Sequence, residues 1–278
     1  MINDIIIMAA GASSRMKSSV SNGVEKHIEA QANTLTKGLI EVGKEGKPLL
    51  YYLLKNIKES GYKTVYFVTG EEASLFKKTI RAFQNLERLE FKFATQFIPK
   101  TREKPLGTAD AIWQTLHQFP ELKATNFTVC NSDNLYSVNA FLKLRTFDKT
   151  QGLIAFDLNY LKFPKDKITG FALLVFNADF KLVSILEKPT LSQFETLEKT
   201  HGTVYVSMNC FSFNGVSFYP FLENCPIHPD RNEKELPTAI SNMLESSTSE
   251  MFGVPLQEHV PDLTTKEDLL IIGDFLNY

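Results

Sequence analysis

Apolar and polar positions fall in blocks along this chain rather than in one long period. Residues 5–7 are three isoleucines, too short a run for a helix and β-branched throughout, which predicts a strand buried on both faces. The run breaks into Ala9-Ala10-Gly11-Ala12-Ser13-Ser14 and ends on Arg15-Met16. Further on, Pro48 opens a helix over 49–60 that Gly61 stops, and a strand follows over 63–69. The pattern then gives a helix over 73–83, a strand over 89–95, a helix from Gly107 to 119 and a strand over 126–131. A helix over 138–146 and a strand over 153–157 complete the series. Strands alternating with helices of about ten residues imply right-handed βαβ units and a parallel sheet covered on both faces.

Three regions depart from that rhythm. Residues 17–36 are polar without sustained periodicity and read as a mobile excursion holding a short helix near 25–32. The pattern resumes at Lys37-Gly38-Leu39-Ile40-Glu41-Val42, and Gly43 to Pro48 is turn chemistry. A loop over 96–106 carries prolines and basic residues. The second half changes character, with short strands over 171–176 and 182–186 at hairpin spacing and one longer strand over 204–213. Residues 188–203 and 214–235 read as loop-rich. A helix over 236–244, a short strand over 251–254 and a helix over 265–276, capped by Thr264 or Thr265, close the chain. The expected fold is α/β: a Rossmann-like mixed, mostly parallel sheet with helices on both faces and an antiparallel portion. No linker divides the chain, so 1–278 reads as a single domain.

Composition narrows the function classes. The net charge is −2 with mixed signs, which argues against nucleic-acid binding. No apolar run approaches a membrane span, and Asp4 stands where a signal peptide would want basic residues, so a cytoplasmic location is expected. The three cysteines, Cys130, Cys210 and Cys225, lack paired spacing, and no two of the five histidines sit at ligand spacing.

In an open parallel sheet, ligands gather beyond the carboxyl ends of the strands. Three features fall there: the loop ending in Arg15, the turn Ser132-Asp133-Asn134, and Glu187-Lys188-Pro189. Small residues let backbone N–H groups close round a phosphate, and Arg15 adds a forked donor. Asp133, directly after a strand, suits Mg²⁺; an Asx-turn role fits it as well.

The chain resembles the sugar-1-phosphate nucleotidyltransferases, NTP transferases with a GT-A-like nucleotide-binding fold. The matching elements are Ala9-Ala10-Gly11-x-Ser13-x-Arg15-Met16, Lys37-x-Leu39-Ile40-x-Val42-Gly43 and Lys47-Pro48-Leu49-Leu50. Leu106-Gly107-Thr108-Ala109-Asp110-Ala111, Ser132-Asp133-Asn134, Glu187-Lys188-Pro189, Asn209 and Asp262-Leu263-Thr264-Thr265-Lys266-Glu267-Asp268-Leu269 follow in the family's order. The resemblance implies a nucleotide-binding half near 1–135 and an acceptor-binding half near 136–278. It implies that Ala10, Gly11, Ala12, Ser13 and Ser14 wrap the triphosphate, with Arg15 on the leaving pyrophosphate and Lys37 at the transferred phosphate. Gly107 would let a base lie on its backbone, with Thr108 beginning the helix beneath. Asp133 and Asp262 would hold Mg²⁺, Asp133 counting with Arg15 and Lys37 as catalytic. Glu187, Lys188 and Asn209 would bind the acceptor.

The expected reaction is Mg²⁺-dependent transfer of a nucleotidyl group from an NTP to a sugar 1-phosphate. Homo-oligomerisation stays open. Several departures bear on the acceptor. Ser13 stands where a second glycine is common, a form closer to cytidylyl- and guanylyltransferases of the molybdenum-cofactor branch. The gap from Arg15 to Lys37 is long, Gly38 follows the lysine, Pro261 precedes the closing aspartate, and the chain stops at Tyr278 before any β-helical extension. A phosphorylated alcohol or molybdopterin-type acceptor is therefore an alternative, and so is a catalytically silent nucleotide-binding regulator. A dinucleotide-binding dehydrogenase is weaker, because the second and third glycines of its loop are missing.

Overall fold

The computed structural model of the chain describes residues 1–20, 22–246 and 248–277. Strand β1 (Asp4–Met8) is the isoleucine run. Ile5 and Ile7 enter one core and Ile6 the other, all three fully buried. A strand with no wet side tolerates no polar residue, which is why the run is unbroken. After it come the five-residue helix α1 (Ser14–Ser18), α2 (Lys26–Thr34), a minimal hairpin of β2 (Glu41–Val42) and β3 (Lys47–Pro48), and α3 (Leu49–Glu59). Then follow β4 (Thr64–Thr69), α4 (Ser74–Arg81), β5 (Glu90–Thr95), α5 (Thr108–Gln118) and β6 (Asn126–Asn131).

β1 pairs in parallel with β4 on one side and with β6 on the other, and β5 lies beyond β4. The chain thus walks outward from β1 to β5, then returns across the sheet to β6. Helices α3 and α4 pack in one core, whereas α5 packs in the other. Such a reversal opens a crevice beyond the carboxyl ends of β1 and β6. The expectation of a mixed sheet with helices on both faces is met, and β5, β4, β1 and β6 are its parallel part in this half.

The second half contains α6 (Val138–Arg145), β7 (Gln151–Asp157), α7 (Lys165–Ile168), β8 (Ala172–Phe176), β9 (Leu182–Leu186) and α8 (Leu191–His201). β10 (Tyr205–Ser207), β11 (Phe211–Asn214), α9 (Gly215–Glu223), α10 (Leu236–Glu245), β12 (Met251–Leu256) and α11 (Glu267–Leu276) complete it. β11 runs antiparallel between β6 and β7, so the sheet continues from one half into the other. β12 lies parallel to β7, and the β8–β9 hairpin joins through β10.

Four expectations are corrected. The strand read over 204–213 is two strands, β10 and β11, both antiparallel to β7. Between them Asn209 takes φ 57, a left-handed turn that no ladder continues through. Residues 188–203 hold α8, whose capping box joins Thr190 and Gln193; the Thr-x-x-Gln spacing was a usable start signal. Residues 214–235 hold α9 with Pro220 inside it. The burial of Phe218 and Leu222, with Phe218 stacked 4.0 Å from Phe213, outweighs the proline as a breaker. The C-terminal helix starts at Glu267, and neither Thr264 nor Thr265 caps it; the Asp268 carboxylate instead accepts the N–H groups of both threonines. The short helix expected in the polar excursion is α2; Ser21 in that stretch lies outside the described residues.

Candidate active site

Beyond the carboxyl ends of β1 and β6 lies a cleft of about 460 Å³. The register Met8↔Asn131 sets its two principal loops side by side, with Ser132 N–H donating to Met8 O at 3.2 Å. Ala10, Gly11, Ala12, Ser13, Ser14, Arg15, Lys37, Gly107, Thr108 and Asp133 all line it. Among the described residues, the N–H groups of Ala10, Gly11, Ala12 and Ser13 have no acceptor, and the exposed Arg15 guanidinium has none either. These donors are free for an anion.

Ser13 shows what replaced the commoner glycine. It has φ 56, a conformation glycine takes without cost, and its hydroxyl accepts the Lys37 N–H at 3.3 Å. That bond anchors the turn at Lys37–Leu39. Gly38 lies in the same turn, and a Cβ there would sit 3.1 Å from Ser132 O. Its bareness lets Lys37 approach the Ser132–Asp133 turn. The Lys37 ammonium then pairs with Asp133 Oδ2 at 2.8 Å, with 11% and 26% of the two side chains exposed. Burial pushes the Asp133 carboxyl above its ordinary range, Lys37 pulls it back, and Asp262 pushes it up again.

Gly107 is a glycine for a reason the sequence reading did not supply. Its φ is 112, and a Cβ would meet Lys234 O at 2.4 Å. The missing side chain makes room for the chain's own backbone. Lys234 O accepts the Ala109 N–H at 3.0 Å at the start of α5. Thr108 Oγ1 reciprocally accepts the Leu236 N–H at 2.9 Å, the first residue of α10. The two helices cap each other. Gln96, just past β5, also lines the cleft; its amide nitrogen is bound to Gly107 O and Asp110 Oδ2. The strand-end rule would have found Gln96, which motif reading passed over.

A second cleft of about 200 Å³ adjoins the first, and Arg15, Asn131 and Asp133 line both. Glu187, Asn209 and Asp262 line it. Lys188 does not: it is exposed, with φ 46, outside both linings. The lysine in this cleft is Lys167, which no motif singled out. Its ammonium lies 3.1 Å from Asp262 Oδ2 and 2.9 Å from Asp268 Oδ1. Asp262 reaches Asp133 through backbone: Leu263 N–H donates to Asp133 O at 2.8 Å and Leu135 N–H to Pro261 O at 2.9 Å. Asn134 Nδ2 also donates to Asp262 Oδ1 at 3.1 Å.

Two neighbouring carboxylates, each beside substrate-sized space, fit a hard cation that takes one or two carboxylates and fills its shell with phosphate oxygens and water. No group of three or more acidic, His or Cys side chains gathers for a metal among the described residues, so a protein-only cage is not built.

A family model for nucleotidyl transferases matches residues 5–254. The chain belongs to the nucleotidyl transferase family. The bifunctional protein GlmU of Staphylococcus haemolyticus is 22% identical over 253 residues, covering 91% of this chain and 48% of that protein. GlmU of Staphylococcus epidermidis is 24% identical over 241 residues, covering 86% and 45%. The chain therefore spans about half the length of these curated relatives. In fold it is similar to UDP-glucose pyrophosphorylase complexed with UDP-glucose, at TM-score 0.73 and 14% identity over 100% of this chain and 99% of that one. HddC from Yersinia pseudotuberculosis, complexed with GMP-PN, gives 0.64 at 16% identity over 99% and 100%. No helix among the described residues is long and apolar enough to cross a membrane.

Proposed function

We propose that this nucleotidyltransferase moves a nucleotidyl group from an NTP to a sugar 1-phosphate and releases pyrophosphate. The observation that carries the reading is the meeting of two clefts at Arg15, Asn131 and Asp133, one rich in unpaired backbone donors and the other in side-chain acceptors. The triphosphate would lie along 10–15. An oxygen of the acceptor phosphate would attack the α-phosphorus in line, forming the new P–O bond as the bond to pyrophosphate breaks. Lys37 would offset charge on the transferred phosphate, and Arg15 would stabilise the pyrophosphate as its charge grows. The chain's task is positioning, since the nucleophile belongs to the acceptor. Asp133 and Asp262 would hold Mg²⁺, which supplies charge neutralisation at the phosphates when bound. Glu187 and Asn209 would take up acceptor hydroxyls.

The deciding experiment incubates the protein with Mg²⁺, each NTP in turn and a panel of sugar 1-phosphates and phosphorylated alcohols. Pyrophosphate release that needs both substrates, and stops with EDTA, is the expected result. Nucleotide-dependent melting shifts without any pyrophosphate release would instead support a silent nucleotide-binding regulator. Ser13 in place of the commoner glycine, and the GMP-PN bound by HddC, keep guanylyl transfer in the panel as the second reading.

A further inference from the structure

The segment 231–236 lines the first cleft through Glu233 and reaches the second through Arg231, which contacts Glu187 of its lining. At one end the Arg231 guanidinium lies between two carboxylates, with Nη1 3.4 Å and Nη2 3.5 Å from Glu187 Oε2, and Nη1 2.5 Å from Glu235 Oε1. At the other end Lys234 and Leu236 are pinned to the start of α5 by the mutual caps, and Glu233 lines the nucleotide cleft. Arg231 is thus held on a braced segment; its side chain is 27% exposed and that of Glu187 31%. Glu187 faces three charged groups: Arg231, Glu235 and the neighbouring Lys188. Burial pushes its carboxyl up, Arg231 and Lys188 pull it down, and Glu235 pushes it up. Arg231 lies in none of the motifs that carry the family resemblance.

We propose that Arg231 is a positioning residue that aims the Glu187 carboxylate as the hydrogen-bond acceptor for a hydroxyl of the acceptor sugar. The inference rests on the function proposed above. A carboxylate in a half-wet cleft has several rotamers and a weakened charge. A guanidinium held by Glu235, with both terminal nitrogens turned to Glu187 Oε2, favours one rotamer and opposes the upward push of burial.

The test is steady-state pyrophosphate release by wild type, Arg231→Gln and Arg231→Lys. The probes are Mg²⁺, the four NTPs, and glucose, mannose and N-acetylglucosamine 1-phosphates. Arg231→Gln should raise the acceptor KM about tenfold, leave the NTP KM within about twofold, and change kcat less than KM. Arg231→Lys, which keeps charge without the fork, should recover part of the loss; it carries the test if Arg231→Gln does not fold. With deoxy acceptors, the penalty wild type shows for losing one hydroxyl should shrink in the variant, the signature of coupling through Glu187. An unchanged acceptor KM, or an equal rise in both KM values, overturns the inference and leaves the function standing. Silence of the wild type across the whole panel overturns both.

Discussion

The two clefts share three residues but are built in opposite ways. The cleft proposed for the nucleotide offers unengaged donors along one wall, N–H groups over 10–13 and an Arg15 guanidinium that have no protein partner among the described residues, beside the Lys37–Asp133 pair. In the cleft proposed for the acceptor, the charged side chains Lys167, Asp262 and Glu187 are engaged, Lys167 with Asp262 and Asp268, and Glu187 with Arg231 behind it. Unpaired donors cost little while water reaches them, and become worth much more once a ligand excludes it. Engaged carboxylates are held in shape beforehand, so a ligand finds them oriented. Removing an unengaged donor of the first cleft should therefore reduce turnover at little cost to the fold, and breaking a side-chain pair of the second should affect both.

The sharpest break in that contrast lies at Asp133, which lines both clefts. Asp133→Asn should lower Mg²⁺-dependent turnover by roughly a hundredfold or more. Burial already disfavours its charge, which offsets part of what Lys37 loses with its carboxylate partner, so the fold should survive with a stability loss of about 1–3 kcal/mol. Turnover near wild type at limiting Mg²⁺ would remove Asp133 from the site.

Gly107→Ala tests whether the nucleotide side rests on the mutual capping of α5 and α10. With φ 112 and Lys234 O 2.4 Å from the new Cβ, the variant should lose about 3 kcal/mol or more of stability by denaturant melting. A stable Gly107→Ala protein would show that the 231–236 segment can move away freely.

Arg15→Ala and Lys167→Met set the two constructions directly against each other. Arg15→Ala should lower kcat while leaving the melting temperature unchanged, because no protein contact is lost. Lys167→Met leaves Asp262 and Asp268 without their shared cation and should cost about 1–2 kcal/mol of stability. Added Mg²⁺ should restore part of that stability if Asp262 is a metal ligand. Equal melting losses in the two variants would erase the distinction.

The smallest effect concerns the rim behind Lys167. His259 packs against Phe163 and Phe275, and its Nδ1 accepts the Lys162 N–H at 3.1 Å. Burial, with Lys162 and Lys167 nearby, lowers its pKa from 6.5 to about 4. The unfolded chain binds this proton near the ordinary value and the folded chain only near the lowered one. Stability is therefore full above the ordinary pKa and falls as pH drops from 6.5 toward about 4. After discounting for partial exposure, the loss should be about 1–2 kcal/mol. Comparing acid melting of wild type with His259→Phe isolates it; an identical acid slope in both would discard the assignment.

Much of the first half was legible because its causes are local. Ile5 to Ile7 have no polar interruption since both faces of β1 are buried, and the small residues after them follow from the strand's carboxyl end. β6 matched its expected bounds, and α5 and α6 closely. The second half was harder, because tertiary contacts decide its elements. Phe218 against Phe213 outvotes Pro220, and Asn209 divides what reads as one apolar strand.

The sequence alone determined the alternation of strands and helices, and so the expectation of a crevice at the strand ends holding Arg15 and Asp133. Those residues sit at strand ends or beside them, and strand ends are visible in hydrophobic pattern. Only the tertiary structure decided which charges meet. It set Asp262 against Asn134, 128 positions earlier, through a backbone bridge. It put Lys167 rather than Lys188 in the acceptor cleft, and it gave the space beside Gly107 to Lys234. Backbone donors follow from local conformation, whereas side-chain ion pairs depend on distances between remote segments, and no local pattern encodes those distances.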